Sequence, residues 1–149
     1  MSAAIRFYDV VLWIHITAVV AAFGALFAYP ILLAVNARAP LAQRAGLHHA
    51  QIAFSKRVTG PVIGVVLLAG IYLATDAELW DEAWVGISLL LLFVIAGLGA
   101  TVLRRGEEAL VAAAEGGDEP AYGVALATAR TWTFVTLVVT IFFMSVKPF

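Results

Sequence analysis

Residues 10–35 read VVLWIHITAVVAAFGALFAYPILLAV, a run of 26 residues without Asp, Glu, Lys or Arg. At about 1.5 Å rise per residue, roughly 20 apolar residues cross a hydrocarbon core about 30 Å thick. The stretch is therefore long enough to span a membrane. Lipid offers no water to backbone amides, so a spanning segment must be a helix or part of a closed barrel. The apolar residues here run continuously rather than alternating, which selects the helix.

Composition extends that reading to the whole chain. Of 149 residues, 63% are hydrophobic and only 13% charged, where a soluble domain carries about 25% charged residues. A single domain is expected at this length. The formal net charge of −1 leaves no basic footprint for nucleic acid. The absence of cysteine excludes disulfides, thiolate metal sites and cysteine nucleophiles. Ala37-Arg38-Ala39 has the small-x-small look of a signal cleavage site, but a signal core is about 7–15 residues, far shorter than 10–35. The first run is expected to stay as a span.

Three further spans follow, at 58–74, 84–103 and 131–146. The expected fold is an all-α integral membrane four-helix bundle in one domain, 1–149. Trp13 and Tyr29 stand near the ends of the first span, where aromatic residues with a polar tip favour the membrane interface. Pro30 and Pro61 each deprive a helical carbonyl of its partner and predict bends. In the connection 36–57, Leu41, Ala45, His48 and Ile52 share one face at helical spacing, so an interfacial helix or an extension of the second span is expected. Glu107–Glu115 continues the third span, Gly116-Gly117 stops it, and Asp118-Glu119-Pro120 reads as the next helix start. Gly60 and Gly64 form GxxxG, which lets two helix backbones approach closely. Small-residue faces of this kind also predict self-association.

The connections 36–57 and 104–130 hold seven of the nine Lys and Arg residues, and the turn 75–83 holds none. Positive residues stay on the cytoplasmic side. Both termini are thus expected outside, and the two helical extensions in the cytoplasm.

Ionisable and polar residues inside spans are the candidates for chemistry. His15 is the ionisable residue well inside one, and Ala18, Ala22 and Ala25 continue its face. It would hydrogen-bond a neighbouring helix, relay a proton, or ligate haem iron or another metal. Thr133, Thr136 and Thr140 line one face of the fourth span and reach Lys147 when that face is extended. They would bond back into their own helix or wall a polar cavity. Lys147 and Met144 are the other candidate ligands near the depth of His15. Adjacent His48 and His49 point in different directions on a helix, so they are expected as an interfacial pair rather than a metal site. Asp76, Glu78, Asp81 and Glu82 fit a weak cation site or a solvated external turn equally well.

Several of these residues carry a resemblance. Leu12-Trp13-Ile14-His15 with Phe23-Gly24, Arg57-Val58-Thr59-Gly60-Pro61 and Val146-Lys147-Pro148-Phe149 resemble the copper-resistance protein D and HemJ-type membrane families. They are most similar to a related bacterial family of small integral membrane proteins of unknown function. The resemblance implies four membrane helices in a bacterial cytoplasmic membrane. For the HemJ type it implies haem b and protoporphyrinogen oxidation, with His15 at the first-helix histidine. Where that type has a histidine and a lysine after a third-helix tryptophan, Trp84 is followed by Val85-Gly86-Ile87-Ser88.

The residues themselves present abundant packing positions and no catalytic constellation. The leading functional expectation is a non-enzymatic membrane bundle that binds a partner or a small apolar ligand. The alternatives are a haem b redox or porphyrin protein using His15, and a copper-handling membrane protein.

Overall fold

The computed structural model of the chain describes residues 6–118 and 123–148, with Leu41 and Ala42 described in backbone only. All regular structure among them is helical. The expected helix start at Glu119-Pro120 lies outside the described residues.

Helix α1, Phe7–Asn36, carries the first apolar run. Its start is fixed by Asp9, whose carboxylate accepts the backbone N–H of Arg6 at 3.0 Å. That bond satisfies an amide that no helical carbonyl reaches. The helix continues through Pro30 to Asn36. Helices α2, Leu41–Phe54, and α3, Gly60–Asp76, are joined by a π-helical turn at Ser55–Thr59. Extension rather than a separate interfacial helix is thus the outcome for 41–54. The π turn has a local cause. Pro61 has no N–H to give, and its ring would crowd the carbonyl one turn back. The ladder widens just before it, and the Gly60 N–H reaches back to the Ser55 carbonyl.

Helices α4, Ala83–Leu98, and α5, Arg104–Gly116, repeat that plan around a second π turn at Gly99–Leu103. The Gly97 carbonyl there accepts the Thr101 hydroxyl at 2.6 Å. Gly117 ends α5 with φ at 84°, the left-handed conformation that glycine adopts without strain. Helix α6, Val124–Val146, completes the bundle.

Four helical segments are long and apolar enough to cross a membrane: Phe7–Asn36, Gln43–Asp76, Ala83–Gly116 and Val124–Val146. The second and third have 34 residues each, about 51 Å of helix against a core of about 30 Å. Their surplus projects from one end of the bundle, here called the extension end. The opposite turn end carries the connection between α3 and α4, the start of α1 and the end of α6.

The packing is pairwise. α1 lies against α3, α4 against α6, and α2 against α5. Ala22 and Phe23 of α1, Ile95 of α4 and Leu137 of α6 meet in the middle of the bundle, with Ile63 of α3 packed on them. A second cluster, Val11, Ala69 and Leu73, fills the α1–α3 contact nearer the turn end. Large apolar side chains such as Trp13, Ile31, Leu68, Leu90 and Trp132 stand exposed on the outside of the bundle. That is the surface a membrane helix offers to lipid tails.

Candidate functional site

Two features meet where the bundle passes into its extensions. The first is a cavity of about 740 Å³ lined by α1, α3, α4, α6, the extensions and both π turns. Small residues make the room: Ala25, Gly60, Ala96, Gly99 and Ala100 all border it. Ala22, Phe23, Leu26, Ile63, Ile95 and Phe134 form apolar walls, and Gln51, Lys56, Arg104, Glu107, Arg130 and Thr133 supply polar groups. Protein interiors hold few voids larger than a water molecule. A volume of roughly 300–1,000 Å³ with apolar walls and a few placed polar groups is the usual form of a small-molecule site.

The second feature is a buried network around Glu107. This residue is 3% exposed. Tyr29 Oη donates to its Oε1 at 2.8 Å, and His48 Nδ1 lies 2.7 Å from its Oε2. Arg130 forms an ion pair with the same carboxylate. Arg130 Nη2 also donates to Tyr29 Oη at 2.9 Å, and its guanidinium lies over the Tyr29 ring, 4.0 Å from the centroid. An ionised carboxylate only accepts hydrogen bonds, so the His48 nitrogen facing it carries the proton. Three donors from α1, α2 and α6 thus converge on one acid from α5. A carboxylate taken out of water is tolerable only when its lone pairs are met in this way.

Sequence order explains how the four residues arrive together. Glu107 stands with Leu110, Val111 and Ala114 on the buried face of α5, at helical spacing. His48 is on the buried face of α2, which packs against α5. Tyr29 comes from the last third of α1, and Arg130 from the second turn of α6. Tyr29 and His48 turn inward, while His49 stays at the surface. Tyr29 and His48 are 6% and 3% exposed and take part in the network. His49 points outward and pairs with Glu115 at 2.8 Å. One sequence signal marked the site. A glutamate and a histidine each occupied a core-facing position on extensions that were otherwise amphipathic.

The residues singled out from sequence fall mostly elsewhere. His15 is buried in α1, where its ring meets α3. A Cβ placed on Gly70 would lie 3.3 Å from His15 Cε1, so the neighbour comes from the second span rather than the threonine face of the fourth. His15 Nδ1 has no hydrogen-bond partner, and His15 lines neither the large cavity nor the shallower groove between α1 and α3. Lys147 lies at the end of α6 with its Nζ 5.3 Å from the Trp84 ring centroid. Met144 is exposed. His15, Lys147 and Met144 therefore have different neighbours.

Thr133 and Thr140 donate to the carbonyls of Ala129 and Thr136, each at 2.8 Å, bonding back into their own helix. Thr136 is buried. Thr133 and Gly60 border the cavity, while Gly64 has nothing within 4 Å of an added Cβ. The close helix contact expected at Gly64 occurs instead at Gly106, where a Cβ would lie 2.6 Å from Leu126 Cδ1. Among the described residues, no group of three or more His, Cys, Asp or Glu side chains could hold a metal ion. Comparison with protein-family models, curated proteins and solved structures finds no match to this chain.

Proposed function

We propose that this chain is a membrane-embedded binding protein for a small apolar or amphipathic molecule, which enters the cavity between its four spans. The observation that carries this reading is the cavity of about 740 Å³, apolar along its walls and bounded by the Glu107 network at the extension end. The network favours binding over catalysis. Its carboxylate is engaged by Tyr29, His48 and Arg130 at once, which suits a rigid end wall. A general base would instead need its lone pairs turned toward a substrate.

Filling the cavity tests this directly. Gly99 and Ala96 line it, and a Cβ on Gly99 meets nothing within 4 Å. Full-length protein in nanodiscs should bind hydrophobic probes such as a fluorescent fatty alcohol saturably, and Gly99→Leu combined with Ala96→Phe should abolish that binding while leaving helicity intact. Probe binding that survives the filled cavity would overturn the reading.

The proposal includes a side of the membrane. Seven of nine basic residues lie at the extension end, so we place the extensions in the cytoplasm and both termini outside; a bacterial inner membrane is what the family resemblance of the sequence implies. Reporter fusions at residue 149 and within 116–118 should report opposite sides. Fusions reporting the same side would exclude that arrangement.

A further inference from the structure

The rim of the cavity carries more positive than negative charge. Among the described residues, Lys56, Arg104 and Arg130 line it, with Glu107 as the one acid. Arg130 and Glu107 neutralise each other at depth, where their side chains are 17% and 4% exposed. Lys56 and Arg104 remain at the rim, 57% and 47% exposed. They come from different hairpins but from equivalent places. Lys56 lies in the first π turn, and Arg104 follows the second.

Among the described residues, a single carboxylate oxygen stands between them. Glu108 Oε1 is 4.0 Å from Lys56 Nζ and 3.7 Å from Arg104 Nε. Both distances exceed an ordinary hydrogen bond, and exposed pairs of this kind contribute little to stability. Glu108 does not line the cavity. Two cations at the rim therefore share one weakly held anion that reaches them from outside. An anion presented from the cavity side would find both charges and displace little. A cationic head would be repelled there, and a neutral head would gain nothing from the second cation.

We infer that the site takes a single-chain amphiphile with an anionic head, a carboxylate or phosphate monoester. The head lies between Lys56 and Arg104, and the hydrocarbon chain runs along Ile63, Ile95 and Phe134. The inference rests on the cavity being a binding site and specifies its ligand class. The depth order supports it. The apolar walls lie within the bundle, while the cations sit where helix gives way to extension, at the level of a membrane–water boundary.

The test uses full-length protein in phosphatidylcholine nanodiscs and equilibrium binding of four radiolabelled probes: dodecanoate, dodecyl phosphate, dodecanol and dodecylammonium. The two anions should bind roughly tenfold more tightly than the alcohol, as expected for a charge-assisted contact. Raising the salt should shrink that preference. Lys56→Gln with Arg104→Gln should erase the preference, bringing both anions to the affinity that dodecanol shows on the same variant. Glu108→Gln, which removes the competing anion, should tighten binding of the two anions only. Equal affinity for dodecanol and dodecanoate would overturn the inference while leaving the binding site standing, and so would a preference that persists in the Lys56/Arg104 double variant. Failure of all four probes to bind, or binding that persists in the Gly99→Leu/Ala96→Phe protein, would overturn the binding reading itself.

Discussion

At the extension end, polar side chains find one another across the chain. Glu107 meets His48 over a separation of 59 residues and Tyr29 over 78, and Tyr29 meets Arg130 over 101. At the turn end the side-chain hydrogen bonds described are local in sequence. Arg6 bonds Asp9 three residues on, Tyr72 bonds Asp76 four on, and Trp80 bonds Thr75 five back. The first set ties α1, α2, α5 and α6 into one arrangement, because Glu107 is satisfied only if all four are in place. The second set trims helix ends and would survive considerable movement of one helix against another. Specificity in this bundle is thus concentrated at one end. Nonpolar contacts between spans compete with equally apolar lipid and give little preference for one register over another. A buried ion pair with three donors cannot be re-formed in another register.

The largest expected effect breaks that network. Glu107→Gln removes the charge that Arg130 and His48 face, and breaks the buried ion pair. Breaking one side of a buried pair costs about 3–5 kcal/mol. Unfolding in mixed micelles, followed by circular dichroism, should show a loss of that size. Adding Arg130→Gln to it should cost much less than the two single changes summed, because the Glu107–Arg130 pair is already broken. A loss below about 1 kcal/mol for Glu107→Gln would mean that the site is solvated like a surface pair, and the contrast between the two ends would fall.

The fold was legible for a reason that did not extend to the site. Four long apolar runs have few structures open to them in lipid, so residues 10–35 and the later spans declared themselves by length alone. Packing partners were another matter. Nothing local to His15 says that Gly70, 55 positions away, leaves room for its ring. Ala18 and Ala22 signalled a helix contact but not which helix. The site was hidden by the same limit. Arg130 read as one more charge in a basic connection, Glu107 as the start of a solvated extension, and Tyr29 as an interface anchor. Each reading is sound for the residue alone. Only the pairing of α2 with α5, beside the ends of α1 and α6, turns the four into one network. Gly64 erred in the other direction. GxxxG states what a backbone permits, and the structure makes its close contact at Gly106, where no such motif stands.

The smallest effect belongs to the turn end and sharpens the comparison from that side. Lys147 is exposed and caps α6 in the left-handed conformation, with φ at 48°. Its ammonium lies 5.3 Å from the Trp84 ring centroid, joining the end of α6 to the start of α4. Two contributions of opposite sign meet there. A cation over an indole at an exposed position is worth about 0.5–1 kcal/mol. Holding a non-glycine residue in the left-handed region costs roughly 1–2 kcal/mol. Lys147→Gln keeps the strained backbone and removes the cation, so it should destabilise by about 0.5–1 kcal/mol. Lys147→Gly removes the cation and the strain together, so it should come out near neutral or slightly stabilising. Unfolding of both variants in the same micelles separates the two contributions, since the pair differs mainly in the backbone effect. A loss above about 2 kcal/mol for Lys147→Gln would exceed anything a single exposed cation–π contact supplies. It would mean that the turn end holds a second buried charge network, and the assignment of specificity to one end of the bundle would have to be abandoned.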